Sequence, residues 1–172
     1  LVREGAHSID SAGENARGNV RAFFVELSNP HLVLLTRAPD AFSGCDEAAL
    51  RTLGRAAQTE WLRAPEFAGV PLSNVGFLAP RKGEPGAGDG GFSLVVYERG
   101  ADLTQCCGSG AVAARAALEE AGVVEKTVPW VNFRLPGGNV SIGARSETSG
   151  EAVLCGPAVF VASLTTNSRQ TL

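Results

Sequence analysis

The sequence has 172 residues, of which 44% are hydrophobic and 19% are charged, so it predicts a single domain with a substantial core. The formal net charge of −3 provides no basic field for a phosphate backbone, which argues against a nucleic-acid partner. No apolar run approaches the roughly 20 residues of a bilayer span, so a cytoplasmic protein with no membrane partner is expected.

The first elements in chain order are short strands. Residues 1–19 are polar and lack a sustained period, so we expect them to be peripheral or to pair weakly at a sheet edge. Two runs rich in β-branched and aromatic residues follow, at 20–27 and 31–35. Asn29 and Pro30 give a turn signal between these runs. This pattern predicts two adjacent strands.

A helix and a loop come next. Apolar residues recur at helical spacing over 45–62, which predicts an amphipathic helix with Ser43 and Asp46 as candidate caps. Residues 81–91 contain five glycines and a proline, which predicts a mobile hairpin loop.

The second half of the chain predicts a strand at 92–98 and an alanine-rich helix at 109–121 that ends at Gly122. Further strands are predicted at 128–135, 139–143, 152–155 and 158–164. Many short strands with two helices indicate an α+β fold. Because alanine allows close backbone approach, we expect a curved antiparallel or mixed sheet wrapped around the helix at 109–121.

The four cysteines are Cys45, Cys106, Cys107 and Cys155. They are too sparse for a disulfide scaffold and lack the paired CxxC spacing of a zinc site. Free thiols are therefore predicted, and the sequence gives no sign of a metal site.

Cys107 stands directly before the predicted helix, in the stretch TQCCGSGA at 104–111. A helix start exposes unpaired N–H groups, so the pKa of a thiol there is expected below its usual value of about 8.5. Gly108 and Gly110 would let a ligand carboxylate approach those N–H groups. The arrangement suits removal of a proton beside a held carboxylate. A buried structural cysteine in a tight turn is the alternative.

Several stretches together resemble the diaminopimelate epimerase family. They are YERG at 97–100 and TQCCGSGA at 104–111, with SNPHLVLL at 28–35, SNVGFL at 73–78, LPGGNVSI at 135–142 and GPAVFV at 156–161. The resemblance covers about residues 24–164 in one register. It implies an epimerase or racemase that inverts an amino-acid α-carbon without pyridoxal phosphate or metal. In this family two cysteines act on opposite faces of the substrate.

The resemblance also implies a role for individual residues. Cys107 matches the catalytic cysteine, and His31 matches a histidine near the catalytic thiols. The substrate-binding positions are matched by Asn29 and Asn74 for the distal end, Glu98 and Arg99 for the ammonium and a carboxylate, and Gly108 and Ser109 as donors at the helix start.

Each of these assignments has a structural alternative. Glu98 and Arg99 are also typical of an exposed ion pair at a strand end. Asn29 before proline is typical of a plain turn, and His31 of a structural histidine. Two family positions differ here, since Ser28 replaces a glycine and Cys106 replaces an alanine.

The resemblance extends only to the second of the family's two pseudo-symmetric halves. Cys106 cannot supply the missing base, because adjacent side chains diverge at a helix start and both lie on one side of the substrate. We therefore expect Cys106 to serve packing or to be a redox liability. The leading expectation is a heterodimer whose partner carries the second cysteine. The alternatives are a homodimer with two facing Cys107 thiols, as symmetry allows, and a non-catalytic module that binds an amino acid or regulates an enzyme.

Overall fold

The computed structural model describes residues 2–8, 19–42, 45–63, 65–82, 91–144, 146 and 151–159. The α+β class is confirmed. The strands in these ranges are β1 (Val2–Ser8), β2 (Asn19–Val25), β3 (His31–Leu35), β4 (Asn74–Pro80), β5 (Phe92–Glu98), β6 (Asp102–Thr104), β7 (Trp130–Leu135), β8 (Gly138–Gly143) and β9 (Leu154–Cys155). The α-helices are α1 (Glu47–Thr59) and α2 (Gly108–Glu120), and short 3₁₀ helices span Trp61–Arg63 and Pro65–Phe67.

The described strands form one mixed sheet in the order β1-β2-β3-β4-β5-β7-β8-β9, with β6 paired to β5. The neighbours β3–β4 and β5–β7 are parallel, and the other pairs are antiparallel. Parallel neighbours need a crossover connection, which contains α1 in the first case and α2 in the second. The sheet therefore carries one helix for each parallel pair.

The two faces of the sheet are covered by different helices. Phe24 and Leu34 belong to the apolar cluster that includes α1, whereas Phe23 and Val33 belong to the cluster that includes α2. This division follows from the alternation of side chains along a strand. Because α2 contacts β1 through β5 and also β8, the sheet curves around it. The predicted sheet wrapped around a central alanine-rich helix is confirmed.

The alanines of α2 explain its central position. Ala113, Ala114 and Ala117 are completely buried, since their small side chains let the strands approach the helix closely. The helix is followed by Gly122 in the left-handed region (φ 68°), as predicted. The observed bounds lie within one residue of the predicted ones.

A buried arginine also anchors α2. Arg115 is 1% exposed and pairs with Glu119 at 2.8 Å within the helix. Its guanidinium also donates to the carbonyls of Ile142 at 2.7 Å and Val128 at 2.6 Å. These bonds join α2 to β8 and to the segment before β7. The burial of Arg115 is not predicted by the sequence, because a charged residue in an alanine-rich helix usually faces solvent.

Several elements of the structure differ from those predicted. Residues 2–8 form a full edge strand with seven partners in β2, a closer association than the weak pairing expected. The helix predicted at 45–62 is shorter (α1), and Asp46 is its N-cap residue without a side-chain cap bond. Ser43 lies outside the described residues, as do 83–90 of the predicted loop and 160–164 of the last predicted strand.

Two strands were not predicted. β4 was noted only as the motif SNVGFL, and β6 has three residues, too few to show alternation. No helix in the described ranges is long and apolar enough to cross a membrane.

Candidate active site

The ends of three strands and the start of α2 lie together at one edge of the sheet. His31 begins β3 and Asn74 begins β4, and these residues are register partners in parallel strands. Glu98 ends β5, which runs antiparallel to β4, so it reaches the same edge. Cys107 precedes α2 and lies within electrostatic range of Glu98. Four predicted site residues from separate elements therefore meet at this edge.

Cys107 caps α2 with an extended backbone (φ −130°, ψ 105°), and its carbonyl accepts a hydrogen bond from Ala111 N–H at 3.0 Å. The residue is 6% exposed. At position 110 a Cβ would lie 3.3 Å from Cys107 Sγ and 3.0 Å from Val96 Cγ2, so Gly110 lets the helix start close over the thiol. At position 108 a Cβ would lie 3.0 Å from Leu154 Cδ1.

Burial raises the pKa of the Cys107 thiol above its usual value, so the predicted lowering was wrong. Hydrogen bonds from the Ser109 side chain and the Gly110 backbone lower this pKa, whereas the negative charge of Glu98 and a hydrogen bond from the thiol to its carboxylate raise it. The loss of hydration outweighs the helix-start donors, because the ionised thiolate is the form that burial disfavours. The resting form at neutral pH is therefore the thiol.

His31 is fully buried, and its Nε2 lies 3.0 Å from Ser109 Oγ. The same Ser109 oxygen lies 3.6 Å from Cys107 Sγ. Burial lowers the pKa of His31 to about 4, against the opposing effect of the Glu98 charge. The imidazole is therefore neutral at pH 7 and is linked to the thiol through one hydroxyl group.

Glu98 is held beside the thiol by a short turn. Its Oε1 accepts a hydrogen bond from Thr104 Oγ1 at 2.7 Å. The turn from β5 to β6 places Gly100 (φ 82°) and Asp102 (φ 64°) in the left-handed region, which pairs Glu98 with Asp102. Thr104 is a site residue that the sequence pattern does not predict. It lies within the motif TQCCGSGA, but a threonine there has no distinctive signal of its own.

Asn74 is 2% exposed, and its Oδ1 accepts a hydrogen bond from the backbone N–H of Arg99 at 2.9 Å. The exposed side chain of Arg99 donates from Nη1 to the carbonyl of Leu72 at 3.1 Å. Glu98 and Arg99 therefore bond to different groups, and the alternative of an ion pair between them does not hold. Among the described residues, two buried side-chain atoms lack a hydrogen-bond partner, His31 Nδ1 and Asn74 Nδ2.

The remaining predicted residues lie nearby. Asn29 is half-buried in the turn between β2 and β3, and the carbonyl of the next residue, Pro30, accepts the N–H of Asn74 at 3.0 Å. Cys106 is exposed whereas Cys107 is buried, so the adjacent side chains diverge as expected. The exposure of Cys106 does not fit the packing role that was considered for it.

Other candidate sites in the described ranges are less informative. No group of three or more His, Cys, Asp or Glu side chains there could hold a metal ion. A cavity of about 430 Å³ lies beside α1 and includes Thr104 and Gln105 but not Cys107 in its lining. Cys107 and His31 are therefore not part of the lining of this cavity.

No protein-family model matches the sequence. Two solved structures share its fold at 16% identity and a TM-score of 0.51. One is a probable proline racemase from Agrobacterium radiobacter with bound carbonate. The match covers 88% of this chain and 46% of that protein. The other is a hydroxyproline epimerase from Agrobacterium vitis with bound trans-4-hydroxy-L-proline, matched over 45% of its length by 88% of this chain.

A phenazine biosynthesis protein of the PhzF family from Bacillus anthracis is similar at 15% identity and a TM-score of 0.47, over 90% of this chain and 40% of that one. The chain therefore spans less than half of the length of each of these proteins. At this level of identity, the two racemase and epimerase structures show the fold of the chain.

Proposed function

We propose that this chain is the C-terminal half of a cofactor-independent amino-acid epimerase or racemase of the diaminopimelate epimerase type. The observation that carries the proposal is the grouping of Cys107, Glu98, His31 and Asn74 at the start of α2. The shared fold with a probable proline racemase and a hydroxyproline epimerase supports it. The role of each residue is taken from the sequence resemblance together with the geometry.

Cys107 serves as one of two proton-transfer groups. Inversion needs a thiolate on one face of the α-carbon to take its proton and a thiol on the other face to return one. The raised pKa of Cys107 suits the donor role, since its S–H is present at neutral pH. The S–H bond breaks as the new C–H bond forms, which leaves the Cys107 thiolate as the base for the reverse direction.

The substrate's α-carboxylate would bind the free N–H groups at the start of α2. Donors at Gly108 and Ser109 would also stabilise the charge that develops there when the α-proton leaves. Glu98 would meet the ammonium, and Arg99 a carboxylate. Asn29 and Asn74 would read the distal end of the side chain, and the unpartnered Nδ2 of Asn74 is a donor available for this purpose.

The second cysteine would come from a partner polypeptide that resembles the first half of the family. An exposed apolar surface lies close to the thiol. Trp130 is 48%, Val153 58% and Leu154 46% exposed, and Leu154 lies against Gly108 at the start of α2. A partner on this surface would exclude water from the site, which strengthens the electrostatic interactions that the reaction needs. Two facing copies of this chain are the alternative assembly.

The test compares the two neighbouring cysteines in the assembled protein. The complex is incubated in deuterated water with a panel of amino acids, and loss of the α-proton signal is followed by NMR. Cys107→Ala should abolish exchange, because it removes the proton-transfer group. Cys106→Ala should retain most of it, because that side chain is exposed rather than buried beside His31 and Ser109. Equal loss in both variants would contradict the assignment of Cys107.

A further inference from the structure

Ser109 contacts His31 and Cys107 at the same time, and its hydroxyl has only one hydrogen. It can therefore donate to one of the two neighbours and accept from the other, or accept from both through its two lone pairs. In the first assignment, His31 Nε2–H donates to Ser109, which donates to Cys107 Sγ. In the second, the Cys107 thiol donates to Ser109, which donates to a bare His31 Nε2. In the third, both neighbours donate to Ser109. The third would favour the thiol over the thiolate, whereas the Ser109 hydrogen bond lowers the pKa of Cys107, and under it Ser109→Ala would lower this pKa.

The first two assignments differ at the other ring nitrogen of His31. Neutral imidazole carries one proton, so the second assignment places an N–H on Nδ1. That atom is buried and has no partner among the described residues, and a buried donor without a partner is destabilising. The neighbouring Asn74 Nδ2 is also a donor without a partner. The first assignment instead leaves Nδ1 as an acceptor, so the two unpartnered atoms of these register partners are one acceptor and one donor.

We infer that His31 is a positioning residue for Cys107, in which a neutral Nε2–H imidazole fixes the Ser109 hydroxyl so that its hydrogen points at Cys107 Sγ. The imidazole does not take the thiol proton. The meaning of the inference for catalysis rests on the proposed function. The hydrogen-bond chain itself is a property of the resting thiol site.

Other groups also act on the thiol. Glu98 faces it from β5 with a negative charge and a carboxylate that accepts a hydrogen bond from the thiol, and Gly110 N–H donates from α2. Both contacts remain when His31 or Ser109 is replaced. A Ser109 hydroxyl aimed at sulfur favours the thiolate, in the direction found for Ser109 on the pKa of Cys107.

The first experiment reads the tautomer of His31 directly, by ¹⁵N NMR of the labelled chain at pH 7. His31→Gln identifies the signals, since His7 is the only other histidine in the sequence. The inference predicts a protonated Nε2 and a bare Nδ1. A protonated Nδ1 would overturn it. This measurement needs no variant of the site other than the one used for assignment.

The second experiment measures the pH dependence of Cys107 alkylation by iodoacetamide, resolved by fragment mass spectrometry. Ser109→Ala should raise the apparent pKa of Cys107 by about one unit, a tenfold smaller thiolate fraction, since a bond to a charged group is lost. His31→Leu should raise it by about half as much, and the double variant no more than Ser109→Ala. His31→Gln retains an amide donor, so the apparent pKa of Cys107 in this variant should stay closer to the wild-type value than in His31→Leu.

Cys106 is the internal control, because it is exposed and its profile should not change. An unchanged Cys107 profile in His31→Leu, or additive effects in the double variant, would overturn the inference. Neither experiment uses a substrate or a partner. A chain with the predicted tautomer but no exchange activity in any complex would contradict the proposed function and leave this inference standing.

Discussion

At the scale of residues, the site depends on how burial changes ionisation. Cys107 and His31 both lose hydration, which raises the pKa of the thiol and lowers that of the imidazole. Both groups are therefore held in their neutral forms at pH 7. Glu98 is the nearby carboxylate that acts on both of them. Its negative charge is the part of the site most easily removed without changing its shape.

Replacing Glu98 with glutamine should separate function from folding. Glutamine can still accept the Thr104 hydrogen bond through its carbonyl oxygen. The free energy of unfolding should therefore change by less than about 0.5 kcal/mol, and the thermal midpoint by a few degrees at most. Loss of the charge should lower the pKa of Cys107 and sharply reduce α-proton exchange by the complex. The matched control is Thr104→Val, which removes the hydrogen bond to Glu98 but keeps the negative charge. A collapsed fold with unaltered specific activity would favour a structural role.

The buried His31 should make stability depend on pH. Its pKa of about 4 lies below the value of about 6.5 in the unfolded chain, so the unfolded state binds more protons between these limits. Stability should therefore fall as pH falls from about 6.5 toward 4. The expected loss between pH 7 and 5 is about 2 kcal/mol.

Chemical denaturation of the wild type and His31→Gln at pH 7 and 5 measures this effect. The variant lacks the titrating ring and should not show this loss. The unfolding free energy of the wild type minus that of the variant should therefore be about 2 kcal/mol smaller at pH 5 than at pH 7. A constant difference at both pH values would show that His31 titrates normally in the folded chain.

At the scale of elements, α2 and its surroundings decide the geometry of the site. The helix start must stay fixed relative to β3 and β5 for Cys107 to remain beside His31 and Glu98. Its alanines allow close packing, and the buried guanidinium of Arg115 ties the helix to the carbonyls of Val128 and Ile142. This arginine should therefore contribute strongly to stability.

Arg115→Met should destabilise the chain by about 3–5 kcal/mol, because it leaves the mostly buried carboxylate of Glu119 and three backbone carbonyls without their donor. Removing both charges in Arg115→Met with Glu119→Met should recover part of this loss. Urea denaturation of the three proteins gives the values. A loss below about 1 kcal/mol in the single variant would contradict an anchoring role.

Elements with strong local patterns were predictable from the sequence. The alanine run of α2 ends at Gly122, and the β-branched runs of β2, β3 and β5 are bounded by turn residues, so local sequence places them. β6 is held by the turn at Gly100 and Asp102, a tertiary feature with no period of its own. Local sequence also does not predict the direction in which the pKa of Cys107 changes. The helix start is visible in the sequence, whereas the burial that outweighs it depends on Val96 and the rest of the packed sheet.

At the scale of the whole molecule, the chain presents one buried cysteine thiol, that of Cys107, at one edge of a curved sheet. Inversion at a carbon needs proton transfer on two faces. Of the other cysteines, Cys106 is exposed and diverges from Cys107, Cys45 packs against the α1 side of the sheet, and Cys155 is exposed on β9. None of these is placed to act on the opposite face of a substrate held at α2. We therefore expect the second proton-transfer group to come from a partner on the exposed apolar surface around Trp130, Val153 and Leu154.

The most direct measurement is an assay of this chain as a mass-verified monomer, on a panel of amino acids in deuterated water, with and without a partner. The partner is a polypeptide with its own cysteine at a glycine-flanked helix start. The monomer alone should not invert any amino acid. The mixture should incorporate deuterium at the α-carbon of both stereoisomers, and Cys107→Ala in the mixture should abolish this. Robust inversion by the monomer would show that both proton-transfer groups lie within these 172 residues and would contradict the split-enzyme proposal.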